Sequence, residues 1–387
     1  MRTRSSPCVS RGLHALFLTA AFRAGAVNGQ VSSAFVQDAL DASGFCRASA
    51  TKALPVYRWP QLEGKSLLVL RRWHQYMRNF DKIESLSVSG YIRAILRHGF
   101  AAAQKSSLST AAATPAPYVL DIGANMGYYS LVGASLGAHV IAVEMQPKCW
   151  QLTRCHLHLN GLLNGNVTIL NRYVARPGSH AAAINVPRTR CDTMASPTAV
   201  RGRWPSGKLR HGDEVINASD FEPVEPLEVG ALLQTTLPRG ADLAVTKIDT
   251  EGFEPHVLEA LRPVWPLLND IVLEVQPGAW AHHNLSITAA MATFRDLITT
   301  KRYRTVTLPH RNVKRDSFKP VDLDVCRLPV VSDAQPASAF VPKSGGYGSA
   351  FVMQSYVGFE RFVVNVLNNP SRHGHFHEFL LSNRACA

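Results

Sequence analysis

Leu-Asp-Ile-Gly-Ala-Asn-Met-Gly-Tyr, residues 120–128, follows the apolar start Tyr118-Val119 and reads as a β-strand running into a loop of small residues. Glycine has no Cβ, so such a loop lets main chain approach a ligand closely. A second strand, His139 to Val143, ends on Glu144, an acid placed to accept hydrogen bonds from ribose hydroxyls. Loop, flanking strand and downstream acid together describe a pocket for a nucleoside-containing cofactor at the carboxyl ends of a parallel sheet. The bland alternative is an ordinary strand-to-helix turn with an unrelated acid downstream.

The loop excludes two nucleotide sites. A dinucleotide fingerprint needs G-x-G-x-x-G, and here Asn125 and Tyr128 stand where its second and third glycines belong. A P-loop needs Lys-Ser or Lys-Thr after its second glycine, and neither follows Gly127. What remains, D-x-G-x-N-x-G, offers a carboxylate and close backbone without an anion cradle. That suits S-adenosylmethionine, whose amino-acid end carries an ammonium and whose sulfonium is cationic. The candidate cofactor-binding residues are Asp121, Gly123, Ala124, Asn125 and Gly127, with Glu144 on the ribose.

Further along, Leu243 to Ile248 reads as a buried strand opening onto a loop with Asp249, Glu251 and Glu254, and a helix follows from His256 to about Leu261. Ile271-Val-Leu-Glu-Val-Gln-Pro is another apolar strand, with Glu274 near its end. Open α/β sheets bind ligands at the carboxyl edge, so carboxylates there are better site candidates than a charge run on a solvated face.

Four blocks, in order, carry a resemblance: Leu120-Asp-Ile-Gly-Ala-Asn-Met-Gly-Tyr-Tyr-Ser, Val143-Glu-Met-Gln-Pro, Lys247-Ile-Asp-Thr-Glu-Gly-Phe-Glu and Ile271-Val-Leu-Glu-Val-Gln-Pro. Together they resemble the FkbM-type methyltransferases over roughly Val119 to Leu308, with a looser echo at Val88 to Gly99. The first block alone speaks only for a class I methyltransferase; the third is much more specific to the family. The resemblance implies an S-adenosylmethionine-dependent enzyme that methylates hydroxyls of sugars, glycans or hydroxylated natural products. Thr250 and Phe253 depart mildly from the family's small or aliphatic choices, and the stretch from Ala175 to Leu227 is longer than the family leads one to expect. That insertion bears on the acceptor site more than on the cofactor site. Methyl transfer is an in-line displacement, so the protein's work is chiefly positioning, helped by a general base. Asp249 is the first candidate for base or acceptor orientation, Glu251 the second and His256 a distant third. Asp249 and Glu251 as caps of the following helix is the competing reading. A divalent metal would suit such carboxylates, but the spacing does not call for one. A catalytically silent cofactor-binding module and an RNA methyltransferase are the alternatives; against adenine-N6 methylation, Asp249-Thr-Glu-Gly stands where that chemistry needs N/D-P-P-Y/F.

A chain of 387 residues is long enough for two domains, and its 46% hydrophobic share is that of a globular protein. The net charge of +13 raises nucleic acid, yet the cations are spread over the amino terminus, Arg201 to His211 and Lys301 to Lys319, without interleaved aromatics for base stacking. Solvated surface explains them, or an anionic acceptor or acidic membrane surface.

The seven cysteines show no C-x-x-C spacing, which argues against a zinc ribbon or redox pair. Cys149 and Cys155 read as buried small hydrophobes, with disulfides left open. The first 37 residues lack Asp and Glu, and Arg2, Arg4 and Arg11 precede a short apolar run from Leu13 and an Ala24-Gly-Ala26 site. This fits a secretory signal peptide, or an organelle transit peptide for mitochondrion or plastid, and is too short to span a bilayer. Sequons at Asn166, Asn217 and Asn284 suit secretion.

The organisation follows. Residues 1–50 are targeting segment and spacer; 51–117 a helical pre-domain ending in an Ala/Ser/Pro linker; 118–366 the core with an insertion at 175–227; and 367–387 a tail with His373, His375 and His377. In the core, strands Tyr118–Ile122, His139–Val143 and Val167–Leu170 alternate with helices Tyr128–Leu136 and Pro147–Leu159. Strands near Tyr303–Leu308, Ala350–Tyr356 and Phe362–Val366 complete the sheet. The expected fold is α/β, a doubly wound, mostly parallel Rossmann-like sheet with an amino-terminal helical extension.

Overall fold

The computed structural model describes residues 56–58, 66–69, 116–163, 165–178, 181–188, 191, 221–308, 328–335, 351–368 and 377–383. In chain order these form β1 (Val56–Arg58), β2 (Ser66–Leu68), β3 (Tyr118–Ile122), α1 (Tyr128–Ser135), β4 (His139–Val143), α2 (Pro147–Leu159) and β5 (Val167–Leu170). Then come β6 (Tyr173–Val174), β7 (Ile184–Pro187), β8 (Phe221–Val224), β9 (Pro226–Leu227), α3 (Val229–Thr236), β10 (Leu243–Ile248) and α4 (Glu254–Ala260). A 3₁₀ turn (Arg262–Leu267) leads to β11 (Leu268–Val275), and another (Pro277–His283) to α5 (Ile287–Lys301). The chain ends with β12 (Arg304–Thr307), β13 (Val330–Val331), β14 (Phe351–Met353), α6 (Tyr356–Asn368) and β15 (His377–Ser382).

One sheet takes the order β13-β14-β12-β15-β11-β10-β3-β4-β5. The run from β11 through β10, β3 and β4 to β5 is parallel throughout, while β15 runs antiparallel to both β11 and β12. The period-two alternation of a strand sends its side chains to opposite faces. Thus Val119 joins α1 and α2 in one core, while Leu120 and Ile122 join α3, α4, α5 and α6 in the other. The fold is therefore α/β and doubly wound. Chain order reverses between β3 and β10, the switch point where such sheets leave a crevice at their carboxyl edge.

Three stretches differ from the sequence expectation. Phe362–Val366 lies within helix α6, because the buried positions Tyr356, Phe359, Phe362 and Val363 recur with helical rather than alternating spacing. The tail is not loose from His377 onward: β15 sits inside the sheet, with Phe379, Leu380 and Leu381 buried, so the core extends to Ser382. His373 and His375 lie outside the described residues. Within 51–117, the described part includes an antiparallel ribbon, Tyr57 opposite Leu67, rather than helix. The targeting segment, the rest of the pre-domain and residues 192–220 of the insertion lie outside the described residues. The insertion's described ends pair with each other, β7 with β8 and β6 with β9.

Candidate active site

The loop after β3 is shaped by backbone conformations that few residue types accept. Gly123 and Gly127 have φ of 77° and 82°, and Asn125, between them, is left-handed at 52°. Asparagine tolerates that region better than most residues with a side chain. The N–H groups of Gly123 and Ala124 both donate to the Val143 carbonyl at the end of β4, which ties the loop to the neighbouring strand.

Glu144 fixes the middle of this loop. One carboxylate oxygen accepts the Asn125 N–H and the other the Gln146 N–H, each at 2.7 Å. The expected ribose acid is thus buried and engaged with the loop, with further lone pairs left for a ligand. Burial pushes its carboxyl up to about 7 against those two hydrogen bonds. Asp121 is fully buried as well. Its Oδ2 accepts from Ser130 Oγ of α1 at 2.6 Å, while its Oδ1 has no partner. Burial raises this carboxyl to about 6. Ala124 is buried at the turn.

The second loop, after β10, meets the first directly. The Asp249 N–H donates to the Ile122 carbonyl, and the Asp249 carbonyl oxygen faces Gly123. Lys247, nearly inaccessible, reaches Asp249 with its ammonium at 3.0 Å and lies over the Tyr129 ring. Glu251 is left-handed at φ 54°, and its carbonyl accepts from Nε2 of His283 at 3.2 Å. No side chain caps α4; Glu254, its first residue, holds the loop's shape instead, one oxygen accepting from the N–H groups of Thr250 and Gly252 and the Thr250 hydroxyl. That leaves Asp249 and Glu251 available for ligand. His256 is buried beside Phe253 and is not part of the cluster of Asp249, Glu251 and Glu274.

Two residues with no assigned role complete the cluster. Carboxylate atoms of Asp249, Glu251 and Glu274 all lie within 4.8 Å of one another. The Gln276 amide bridges Glu251 at 2.5 Å and Glu274 at 3.0 Å. Strand alternation carries a signal for this pair, since residues 274 and 276 share one side of the chain leaving β11. Burial, then the charges of Asp249 and Glu274, hold the Glu251 carboxyl well above the usual carboxylate range. Three oxygen donors suit a hard divalent cation. Each, however, already accepts from a protein donor, Lys247 or Gln276, so the cluster is read as a site for hydroxyl and cationic groups.

The insertion is tied to α2 by a Cys149–Cys191 disulfide, and Cys155 is disulfide-bonded too. Both residues expected as plain buried hydrophobes are therefore covalently engaged; spacing alone could not pair them.

The sheet order, the switch point and two acid-bearing loops in contact define the fold as class I methyltransferase-like. No family model matches the chain, and no curated protein matches it. Among solved structures, it is similar to the plantazolicin methyltransferase BpumL in complex with SAH, at 12% identity and a TM-score of 0.24, over 90% of this chain and 100% of that one. Among the described residues, no helix is long and apolar enough to cross a membrane.

Proposed function

We propose that this protein is an S-adenosylmethionine-dependent O-methyltransferase of the FkbM type, acting on a hydroxyl of a sugar, glycan or hydroxylated natural product. The observation that carries the reading is the contact between the two loops at the switch point, which joins a glycine-shaped cofactor loop to the Asp249, Glu251 and Glu274 carboxylates. The donor set fits a cationic cofactor: the buried Asp121 has an unpartnered oxygen, and the carboxylates of the site outnumber Lys247, its one ammonium among the described residues.

When bound, the sulfonium supplies an electrophilic methyl group. Asp121 and the loop backbone orient the amino-acid end, and Glu144 keeps Asn125 in register for the ribose. Asp249, paired with Lys247, would accept the proton of the acceptor hydroxyl. Glu251, held protonated, and Glu274 with Gln276 hydrogen-bond further hydroxyls of the acceptor, which favours a polyhydroxylated substrate. The positive net charge outside this site supports an anionic glycan among acceptors.

The disulfide bonds support the reading of the amino terminus as a secretory signal, because such bonds persist in oxidising compartments. The test is calorimetric titration with S-adenosylhomocysteine, followed by transfer of labelled methyl from S-adenosylmethionine to glycan and natural-product fractions. Absence of binding heat removes the proposal; binding without transfer to any hydroxylated acceptor reduces it to a cofactor-binding module.

A further inference from the structure

We propose that the Cys149–Cys191 disulfide is a positioning element of the cofactor site, acting through Asn125. The inference rests on the reading of residues 121–127 as the cofactor loop. Cys149 stands in the first turn of α2, fully buried, and Cys191 is partly buried in the insertion. Their sulfurs lie 3.7 Å and 3.5 Å from the side-chain oxygen of Asn125. A sulfur in a disulfide has no proton to donate, so these are packing contacts that close off the Asn125 side chain.

The main chain of Asn125 is fixed by neighbours of the same bridge. Its N–H donates to Glu144, and its carbonyl accepts from Thr153 Oγ1 at 2.7 Å. Thr153 lies one turn along α2 from Cys149, whose carbonyl the same hydroxyl approaches at 3.1 Å. Asn125 is thus hydrogen-bonded through its N–H and its carbonyl and packed against the disulfide at its side-chain oxygen, in a loop where it and both flanking glycines are left-handed. Backbone in sparsely populated regions persists only where the surroundings over-determine it. The bridge is the covalent part of that over-determination, and it brings a residue of the insertion to the cofactor loop.

A dithiol reductant would open it. Two electrons and two protons pass to the sulfurs of Cys149 and Cys191, and the reductant becomes a cyclic disulfide. With the sulfurs free to separate, the Asn125 side chain loses its wall and the ligand-ready loop becomes a fraction of the population. Apparent cofactor affinity falls by that fraction.

The experiment is titration of the full-length protein with S-adenosylhomocysteine, before and after reduction by dithiothreitol. Expected is a weakening of about threefold to tenfold on reduction. The Cys149→Ser/Cys191→Ser variant should bind with the weaker affinity from the outset and not respond to reductant. Equal affinity in oxidised and reduced protein overturns the proposal. So does a double variant that still loses affinity on reduction as the parent does, which would move the effect to the bridge of Cys155. Should the double variant not fold, the Asn125 side-chain amide NMR signal of the cofactor-free parent decides: it shifts on reduction if the bridge acts through Asn125, and a fixed signal overturns the idea. Oxidised parent protein that gives no heat at all speaks instead against the cofactor reading.

Discussion

The carbonyl oxygen of Asp249 lies 1.8 Å from where a β-carbon on Gly123 would stand. The obstacle is backbone at the end of a central strand, so it cannot swing aside as a side-chain tip would. Gly123→Ala should therefore separate the two loops of the site as well as strain a residue whose φ is 77°. A useful control is Gly165→Ala, with φ of 83° and nothing within 4 Å of the added carbon. The control should cost about 1 kcal/mol, the strain alone. Gly123→Ala should cost about 3 kcal/mol or more and abolish S-adenosylhomocysteine binding. Equal melting temperatures for the two variants would show that the loops are not packed in this way.

Glu144 holds the cofactor loop with both carboxylate oxygens. Glu144→Gln keeps the shape but turns an amide N–H₂ towards a backbone N–H. One buried donor is left unpaired, at about 1–3 kcal/mol. Cofactor affinity should fall about tenfold or more, by calorimetry, even though Gln can still hydrogen-bond a ribose hydroxyl. An affinity equal to the parent's would mean that the loop does not depend on this carboxylate.

The sequence displayed the amino-terminal half of the sheet because its signals are local. Tyr118–Ile122, His139–Val143 and Val167–Leu170 are short apolar runs bounded by glycine, asparagine or proline, and they stand where expected. The pair Asp249 and Glu251 was visible because both follow one buried strand. The carboxyl-terminal third was less legible. β15 belongs between β11 and β12, so its place depends on pairing with Asp270–Val275, over a hundred residues earlier, and no local pattern announces that. The sequence of α6 does not distinguish helix from strand at Phe362–Val366, because so short an apolar run fits either period. The disulfide partner of Cys149 is set by where the insertion crosses α2, which spacing does not encode.

Glu251 and Glu254 stand three positions apart and have opposite duties. Glu254 has its oxygen on the N–H groups of Thr250 and Gly252. Glu254→Ala should destabilise the protein by about 1–3 kcal/mol, because those buried donors lose their acceptor. Glu251 meets only Gln276 with its side chain among the described hydrogen bonds, and its carboxyl is held protonated. Glu251→Ala, which removes the hydrogen-bonding group offered to the acceptor while Gln276 keeps Glu274, should lower methyl transfer with a smaller loss of melting temperature than Glu254→Ala. The reverse assignment of melting and turnover losses would exchange the roles given to these two acids.

The cofactor-free protein should lose stability as pH rises above neutrality. Glu144 and Glu254, both buried, are raised to about 7, and Glu251 is raised further by burial and its acidic neighbours. Each holds more protons folded than unfolded, so its contribution is complete below the unfolded pKa and is lost as pH climbs through the folded one. His156 works the other way. Burial lowers it to about 4 despite its hydrogen bond to the Met126 carbonyl, so its contribution is complete above its unfolded value near 6.5 and is lost on acidification. Below pH 6.5 the two effects therefore oppose each other. Above it the histidine has nothing left to give, while the buried carboxylates continue to ionise. Melting temperature followed by circular dichroism should fall between pH 6.5 and 8.5, and Glu251→Gln should flatten the upper part of that decline. A flat profile in the parent would mean that these carboxyls are already ionised in the folded protein, and that the site carries its negative charge before any cofactor arrives.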